Sequence, residues 1–166
     1  MGCDTLASEL TVDSTVAQSM IQTFKARFAG LNAWLLSVIQ SCRSLGYVTT
    51  LAGRRRHLGD ITSPLPHKRA HAERQAVNTC VQGSAADIFK TAMIAIEREM
   101  GKMGDERESI GHMAFQLHDE VVLQVKSEYV PGICDLVKTA MESAWCLKVP
   151  LPVKIKTGPS WGLAKE

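Results

Sequence analysis

Two adjacent carboxylates, Asp119 and Glu120, are the residues of this chain best suited to chemistry. They follow His118, and these three polar residues interrupt an apolar stretch that resumes directly after them. The pattern predicts two buried β-strands joined by a tight turn, where an Asp side chain bonds readily to nearby backbone amides. Carboxylates held in fixed positions suit a divalent cation such as Mg²⁺, which takes oxygen ligands in near-octahedral geometry. The apolar residues that alternate around the turn are Met113, Phe115, Leu117, Val121, Leu123 and Val125.

A second pattern places three polar side chains four residues apart: Arg74, Asn78 and Gln82. On a helix this spacing stacks them along one face. Arg carries a fork of hydrogen-bond donors, and Asn and Gln carry both donors and acceptors, so such a row is able to contact a sugar-phosphate backbone or base edges. In the minor groove these contacts report the geometry of a base pair more than its sequence. A solvated helix face is the alternative interpretation.

Positive charge is concentrated in residues 43–74, although the whole chain has a formal net charge of only +2. The segment contains seven Lys or Arg residues against two acidic residues. A local basic strip on a nearly neutral protein is typical of a surface that follows phosphate groups. A solvated loop or a localisation signal would have the same composition. The basic residues are Arg43, Arg54, Arg55, Arg56, Lys68, Arg69 and Arg74.

Five segments of the chain, taken together, resemble family A DNA polymerases. Residues 118–120 are similar to the third conserved motif of that family, and residues 71–87 to the segment that touches primer-template DNA. Residues 46–56 are similar to the strand and turn before that segment, and residues 149–162 to the C-terminal strand and tail. Residues 1–6 look like those just after the fingers helix. The resemblance covers essentially all 166 residues in order, and the wording of residues 71–87 leans towards the eukaryotic theta and nu type.

The resemblance implies DNA-directed DNA synthesis, in which a primer 3′ hydroxyl attacks the α-phosphate of a deoxynucleoside triphosphate. It implies Mg²⁺ in a two-metal mechanism, with primer-template DNA and deoxynucleoside triphosphates as partners. Asp119 would be the metal ligand and a catalytic residue, and Glu120 an auxiliary catalytic carboxylate. The residues implied to bind nucleic acid, by positioning the primer terminus and the template, are Arg74, Asn78, Gln82 and His118.

The chain departs from the family pattern on its N-terminal side. The family needs a second metal-binding aspartate on an earlier strand, and no aspartate before Asp119 stands in such a context. The helix whose Arg and Lys grip the incoming triphosphate would end just before Met1. The sequence therefore predicts a C-terminal fragment, inactive alone, that lacks the N-terminal part of the polymerase. Residues 1–46 would be a helical remainder of the fingers, and residues 47–166 the palm portion.

Other interpretations stay open. One is a non-catalytic nucleic-acid-binding module derived from a polymerase palm, in which only DNA contact remains. Another is a metal-dependent phosphodiesterase that uses Asp119 and Glu120, although no other clustered acidic residues support it. A short acidic motif taken alone is also typical of an ordinary surface turn. A role in DNA repair and a nuclear location follow only from the theta- and nu-like wording.

Composition indicates an intracellular globular protein. Hydrophobic residues make up 45% of the chain and charged residues 22%, which is ordinary globular usage and argues against wholesale disorder. The five cysteines include no Cys-x-x-Cys pair, which favours reduced thiols over a disulfide framework or a zinc site. No apolar stretch is long enough to span a bilayer, so no membrane partner is expected.

Periodicity and capping residues predict the elements that position these side chains. We expect an α/β (α+β) fold, in which a small antiparallel sheet around the His118-Asp119-Glu120 hairpin is backed by long helices. A capping-box pattern at Ser84 and Asp87 predicts a long helix to Met100. Further expectations are a helix after Asp13 broken at Gly30, a second helix ending at Gly46, a strand at 47–51, a helix from 67 or 68 to 81, core residues Met93, Ile94, Ile96 and Met100, a helix beginning near Pro131, and an edge strand through Val153 and Ile155.

Overall fold

The computed structural model describes residues 3–104 and 109–164, and the chain divides into two compact units, Met1–Val81 and Gln82–Glu166. The predicted boundary between residues 46 and 47 stays a prediction, because compact units and polymerase subdomains are different divisions. The first unit contains α1 (Cys3–Leu10), α2 (Ser14–Arg27), α3 (Ala29–Leu45), β1 (Tyr47–Thr49), β2 (Arg55–His57) and α4 (Pro66–Asn78). The second contains α5 (Ser84–Met103), β3 (Gly111–Leu117), β4 (Glu120–Val125) and α6 (Val130–Glu142).

The first helices begin and end largely where local chemistry places them. Asp13 caps α2, since its side-chain oxygen accepts from the backbone N–H of Thr15 at 2.8 Å and from its hydroxyl at 2.6 Å, and these bonds lower the pKa of the Asp13 carboxyl. The predicted break at Gly30 is wrong, because α3 already begins at Ala29 and the interruption lies at Phe28. Gly46 ends α3 as predicted, with φ of 76°, a conformation that glycine adopts without steric cost.

The core of the first unit lies between α3, the β1–β2 hairpin and α4. Val48 of β1 pairs with Arg56 of β2, and Val48 packs among buried residues of both helices. Ala72 and Ala76 are 1% and 0% exposed, because they form one face of α4 four residues apart. This close packing fixes the position of α4 and therefore the position of the exposed side chains on its opposite face. The core also contains Cys42, Leu58 and Ile61.

The apolar stripe of α2 is not part of that core. Val16, Met20, Phe24 and Phe28 recur every four residues, yet each is between 46% and 54% exposed. α2 is thus amphipathic as predicted, but its apolar face lies open in the described residues of its own unit.

A π turn, Thr79–Gly83, follows α4 and leads directly into α5. The predicted capping box at Ser84 and Asp87 is therefore wrong, because Gly83 is itself helical and α5 has no side-chain cap. No residue between Pro66 and Met103 lies outside a helical segment. α5 also runs three residues beyond the expected end at Met100.

In the second unit, α5 and α6 pack beside an antiparallel pair of strands, β3 and β4. The core contains Ile96 and Met100 of α5 together with Ile133 and Val137 of α6, and Pro131 lies in the first turn of α6 as predicted. At the open end of the pair Gly111 faces Val125, where a Cβ on Gly111 would come within 2.4 Å of the Gln124 carbonyl oxygen and 2.9 Å of the Val125 Cα. Only glycine fits at this approach. The two small antiparallel sheets and long helices agree with the predicted fold class.

Two predictions on the second unit fail. Ile94 was expected in the core but is 70% exposed, because the buried stripe of α5 runs through Ala92, Ile96 and Met100. The expected edge strand is not formed, although Val153 and Ile155 alternate in burial with their lysine neighbours, and only Thr157 makes an isolated bridge. The sequence of residues 101–111 is rich in charge and predicts a connection of low order, but residues 101–103 continue α5, and residues 105–108 lie outside the described residues. No helix in the described ranges is long and apolar enough to cross a membrane.

Candidate functional site

The carboxylates lie at a two-residue hairpin turn. Leu117 ends β3 and pairs with Glu120, the first residue of β4, so only His118 and Asp119 form the turn. His118 has a φ of 54°, the left-handed conformation that two-residue hairpin turns require. The Gln116 side-chain amide donates to the His118 carbonyl at 3.1 Å and braces the turn. The sequence contains three polar residues at this point, but only the first two form the turn, because Glu120 is the first residue of β4.

The tip of this hairpin is exposed rather than buried. Phe115 and Leu117 are 42% and 41% exposed, so the prediction of two buried strands is wrong for the outer half of β3. All residues from Ala114 to Leu117 are exposed, and a bulge between Met113 and Phe115 gives β3 one more residue than the facing part of β4. Phe115 instead makes an edge-to-face contact with Trp161, with ring centroids 5.3 Å apart.

The side chains of Asp119 and Glu120 are open to solvent, and no hydrogen bond or ion pair reaches their carboxylates from the described residues. Carboxylate oxygens fit Mg²⁺ in kind, since hard cations take oxygen ligands. In residues 3–104 and 109–164 no group of three or more His, Cys, Asp or Glu side chains is arranged to hold a metal ion. The hairpin therefore offers two neighbouring carboxylates and not a complete ligand cage.

The polar row begins on the outer face of α4. Arg74 and Asn78 are exposed, while Ala72 and Ala76 bury the opposite face, as the period of a helix dictates. Asn78 is the last residue of α4, and Gln82 is an exposed residue of the π turn. Because Gln82 belongs to the second compact unit, the single face predicted for all three side chains stays a prediction.

The basic strip is partly occupied by contacts within the first unit. Arg43 of α3 forms an ion pair with Glu73 of α4, and Arg69 donates to the Ser63 carbonyl at 3.0 Å. The Arg55 guanidinium lies 4.9 Å from the centre of the Tyr47 ring, which is a cation–π contact. These side chains stabilise the fold as well as adding charge. Lys68 and Arg74 remain exposed on α4.

Sequence reasoning missed a contact beside the polar row. The Arg56 guanidinium donates to the Thr79 hydroxyl at 3.0 Å, and Thr79 is only 8% exposed. Arg56 had been grouped with its basic neighbours, and Thr79 stands between two residues of the polar row without any obvious role. Strand pairing was the available clue, because a residue opposite buried Val48 must point to the same side of the hairpin.

Two cysteines, Cys42 of α3 and Cys80 of the π turn, have raised thiol pKa values. Burial raises the pKa of Cys42, with a smaller contribution from nearby Cys80, and burial also raises the pKa of Cys80. Both thiols are therefore protonated at neutral pH, which disfavours nucleophilic chemistry.

The family model that describes DNA polymerase family A matches residues 1–163. The chain belongs to DNA polymerase family A. It is 41% identical over 160 residues to DNA polymerase I of Geobacillus stearothermophilus, which covers 96% of this chain and 18% of that protein. It is 37% identical over 195 aligned residues to mouse DNA polymerase theta, covering 100% of this chain and 8% of the mouse protein.

A solved structure of the family also matches the fold. The POL domain of Pol1 from M. smegmatis, in complex with DNA primer-template and dNTP, superposes with a TM-score of 0.89 at 34% sequence identity. The match covers 96% of this chain and 28% of that one. The predicted family resemblance is thereby confirmed, and the relatives are enzymes. This family A chain spans less than a third of the length of each of these relatives.

Proposed function

We propose that this protein takes part in DNA-directed DNA synthesis, in which a primer 3′ hydroxyl attacks the α-phosphate of a deoxynucleoside triphosphate and pyrophosphate leaves. The observation that carries the proposal is the two-residue turn that presents Asp119 beside Glu120 in a chain of DNA polymerase family A. A hairpin turn fixes the backbone on both sides of the carboxylates, and fixed geometry is the main requirement of phosphoryl transfer.

Asp119 would hold magnesium, with Glu120 next to it as an auxiliary carboxylate. The metal ions, when bound, would neutralise developing charge on the phosphate oxygens. The bond from the Gln116 side-chain amide to the His118 carbonyl braces the backbone of the turn from which the Asp119 side chain extends. His118 precedes it on the same turn and would contact the primer terminus.

Arg74, Asn78 and Gln82 would hold the primer-template. The Arg74 guanidinium suits a phosphate, because its fork of donors matches two phosphate oxygens. The Asn78 and Gln82 amides suit minor-groove acceptors, which lie in similar places for every correct base pair. Support comes from their exposure and from the buried alanine face behind Arg74 and Asn78.

The proposal further assigns the second metal-binding aspartate and the grip on the triphosphate to polypeptide outside these 166 residues. The described residues contain no third clustered carboxylate, and the relatives are several times longer than this chain. DNA repair and a nuclear location stay predictions, because the eukaryotic and the bacterial relative match at similar identity.

The test is the Asp119→Ala variant in a complete polymerase that carries this chain. Primer extension should fall on the order of a thousandfold, because metal-assisted charge stabilisation contributes several kcal/mol, while primer-template affinity should stay within about twofold. Asp135→Ala, which removes an exposed carboxylate from α6, is the matched control and should extend normally. Near-normal turnover by Asp119→Ala would contradict the proposal. Binding without any extension by the complete wild-type polymerase would favour a non-catalytic nucleic-acid-binding module.

A further inference from the structure

The helix that carries the polar row changes its hydrogen-bond pattern directly after Asn78. α4 ends at Asn78, and Thr79–Gly83 forms the π turn. In a π turn each bond spans one residue more than in an α-helix, so the turn is wider and advances by a smaller angle per residue. Such turns are rare and short, and they occur frequently at functional sites.

Thr79 is the first residue of this turn. Its hydroxyl donates to the Gln75 carbonyl at 2.7 Å, and that carbonyl is also approached by the Thr79 backbone N–H. A threonine hydroxyl bonded to the carbonyl four residues earlier competes with the regular helix ladder and bends the helix. The ladder is thus perturbed at the point where the α pattern gives way to the π pattern.

Arg56 holds this hydroxyl from outside the helix. Its guanidinium donates to the Thr79 oxygen at 3.0 Å, so the hydroxyl accepts one bond and donates another. Thr79 is buried, which makes a lost partner costly.

The backbone of Arg56 is held in place by strand pairing. It pairs with Val48 across the β1–β2 hairpin, and Val48 packs in the same core as Ala72 and Ala76 of α4. The β1–β2 hairpin and α4 therefore share one core. The Arg56 guanidinium reaches from the hairpin to Thr79 at the end of α4, and the packing of that core sets the distance between them.

We propose that Arg56 is a positioning residue: by holding Thr79 at the start of the π turn, it fixes the end of α4 and with it the Asn78 side chain against primer-template DNA. The role rests on the proposed function, since it concerns the same nucleic-acid surface. The positioning role distinguishes Arg56 from Arg54 and Arg55, because a role based on charge alone would be the same for all three arginines.

Four single substitutions test the role on the purified chain. Thr79→Val keeps the shape and removes the hydroxyl, and Arg56→Lys keeps the charge and removes the fork. Thr79→Ser keeps the hydroxyl and should therefore behave like the wild type. Thr91→Val is the matched control, because Thr91 makes the same bond to the carbonyl four residues earlier, at 2.9 Å to Asp87, yet is exposed. Urea midpoints would establish that each variant is folded.

Two readouts are measured. The first is amide hydrogen exchange across residues 79–83, which should speed up by about threefold or more in Thr79→Val and Arg56→Lys. The second is the ratio of affinities for a matched and a mismatched primer terminus, which should fall by about three- to tenfold in both variants. The salt dependence of binding should stay unchanged, because neither variant removes a charge. The double variant should lose no more than either single variant, since both break one contact.

The outcomes separate the two proposals. If the wild-type chain binds no primer-template, the proposed function fails and the positioning role fails with it. If the wild type binds and discriminates but Thr79→Val and Arg56→Lys behave like Thr91→Val, the proposed function stands and the positioning role is wrong. Additive losses in the double variant, or a loss in Thr79→Ser equal to that in Thr79→Val, would also overturn it.

Discussion

The surface of α4 and the tip of the β3–β4 hairpin present the side chains of the proposed site in opposite ways. On α4 the exposed Arg74 and Asn78 are backed by a face of alanines that are almost completely buried. At the hairpin tip Asp119 stands on an exposed turn whose neighbouring strand residues are themselves about two-fifths exposed. One surface is positioned by a core behind it and the other by the geometry of a turn.

The difference teaches where each site is vulnerable. A core that fixes a helix transmits any change of volume to the exposed face, because close-packed interiors adjust only partially. A turn depends on its own backbone conformation and one brace from Gln116, so a change there remains local. Nucleic-acid contact should therefore be sensitive to remote core substitutions, and the carboxylate position to substitutions within the turn.

The largest expected effect is that the isolated chain keeps the activity of one surface, which is DNA binding, and lacks that of the other, which is primer extension. The isolated 166-residue chain should bind primer-template but extend no primer, because contact needs only exposed polar side chains whereas synthesis needs a complete metal site. Primer extension is measured with the chain, with a metal-free reaction and with Asp119→Ala. Extension by the chain above both controls would contradict this expectation.

Overpacking the core behind the row should be the next largest effect. Ala76→Leu adds volume at a position that is 0% exposed, so the free energy of unfolding should fall by about 1–3 kcal/mol. Leu117→Ala, at the exposed end of β3, should cost less than about 1 kcal/mol. Urea unfolding of both variants measures this, and equal losses would remove the contrast between core-backed and turn-based surfaces.

Truncating the row itself should have a smaller effect, confined to binding. Arg74→Ala should weaken primer-template affinity by about five- to tenfold and reduce the salt slope by about one, because a phosphate contact is lost. Gln82→Ala should weaken affinity without changing the slope. Lys138→Ala, which removes an exposed charge from α6, is the control. Titrations at several salt concentrations decide, and a solvated helix face predicts no change in any variant.

The smallest expected effect lies in the turn. His118 has a positive φ, which Asn and Gly tolerate and β-branched residues do not. His118→Val should lower the free energy of unfolding by about 1 kcal/mol, while His118→Asn should leave it nearly unchanged. Thermal unfolding of the pair measures the difference. Equal stability of the two variants would show that the backbone conformation does not hold the turn.

Local patterns predicted the elements that depend on neighbours in sequence. The cap at Asp13, the end of α3 at Gly46, and the start of α6 near Pro131 each follow from one residue and its immediate surroundings. The hairpin turn between β3 and β4 was likewise predicted from the polar residues that interrupt two stretches of alternating apolar residues. These features were accessible because their causes lie within a few residues.

Features with distant causes were not accessible. The bulge in β3 depends on its register with β4, and the π turn accompanies a contact between Thr79 and a residue 23 positions earlier. The capping-box pattern at Ser84 was misleading for a local reason, since the preceding turn at residues 79–83 already continues the helix. The roles predicted for Asp119 and for the polar row rest only on family resemblance, because short acidic or polar motifs are common.

Gly111 gives the second unit a form of mutational intolerance that differs from that of Asp119. Any side chain at Gly111 would meet the backbone of β4, so a substitution there lowers the amount of folded protein whatever its chemistry. With the proposed role of Asp119, a library of variants scored by DNA synthesis alone would mark both positions as essential. Scored also by cellular abundance, Gly111 variants would be depleted from the soluble fraction, and Asp119 variants would accumulate as folded protein.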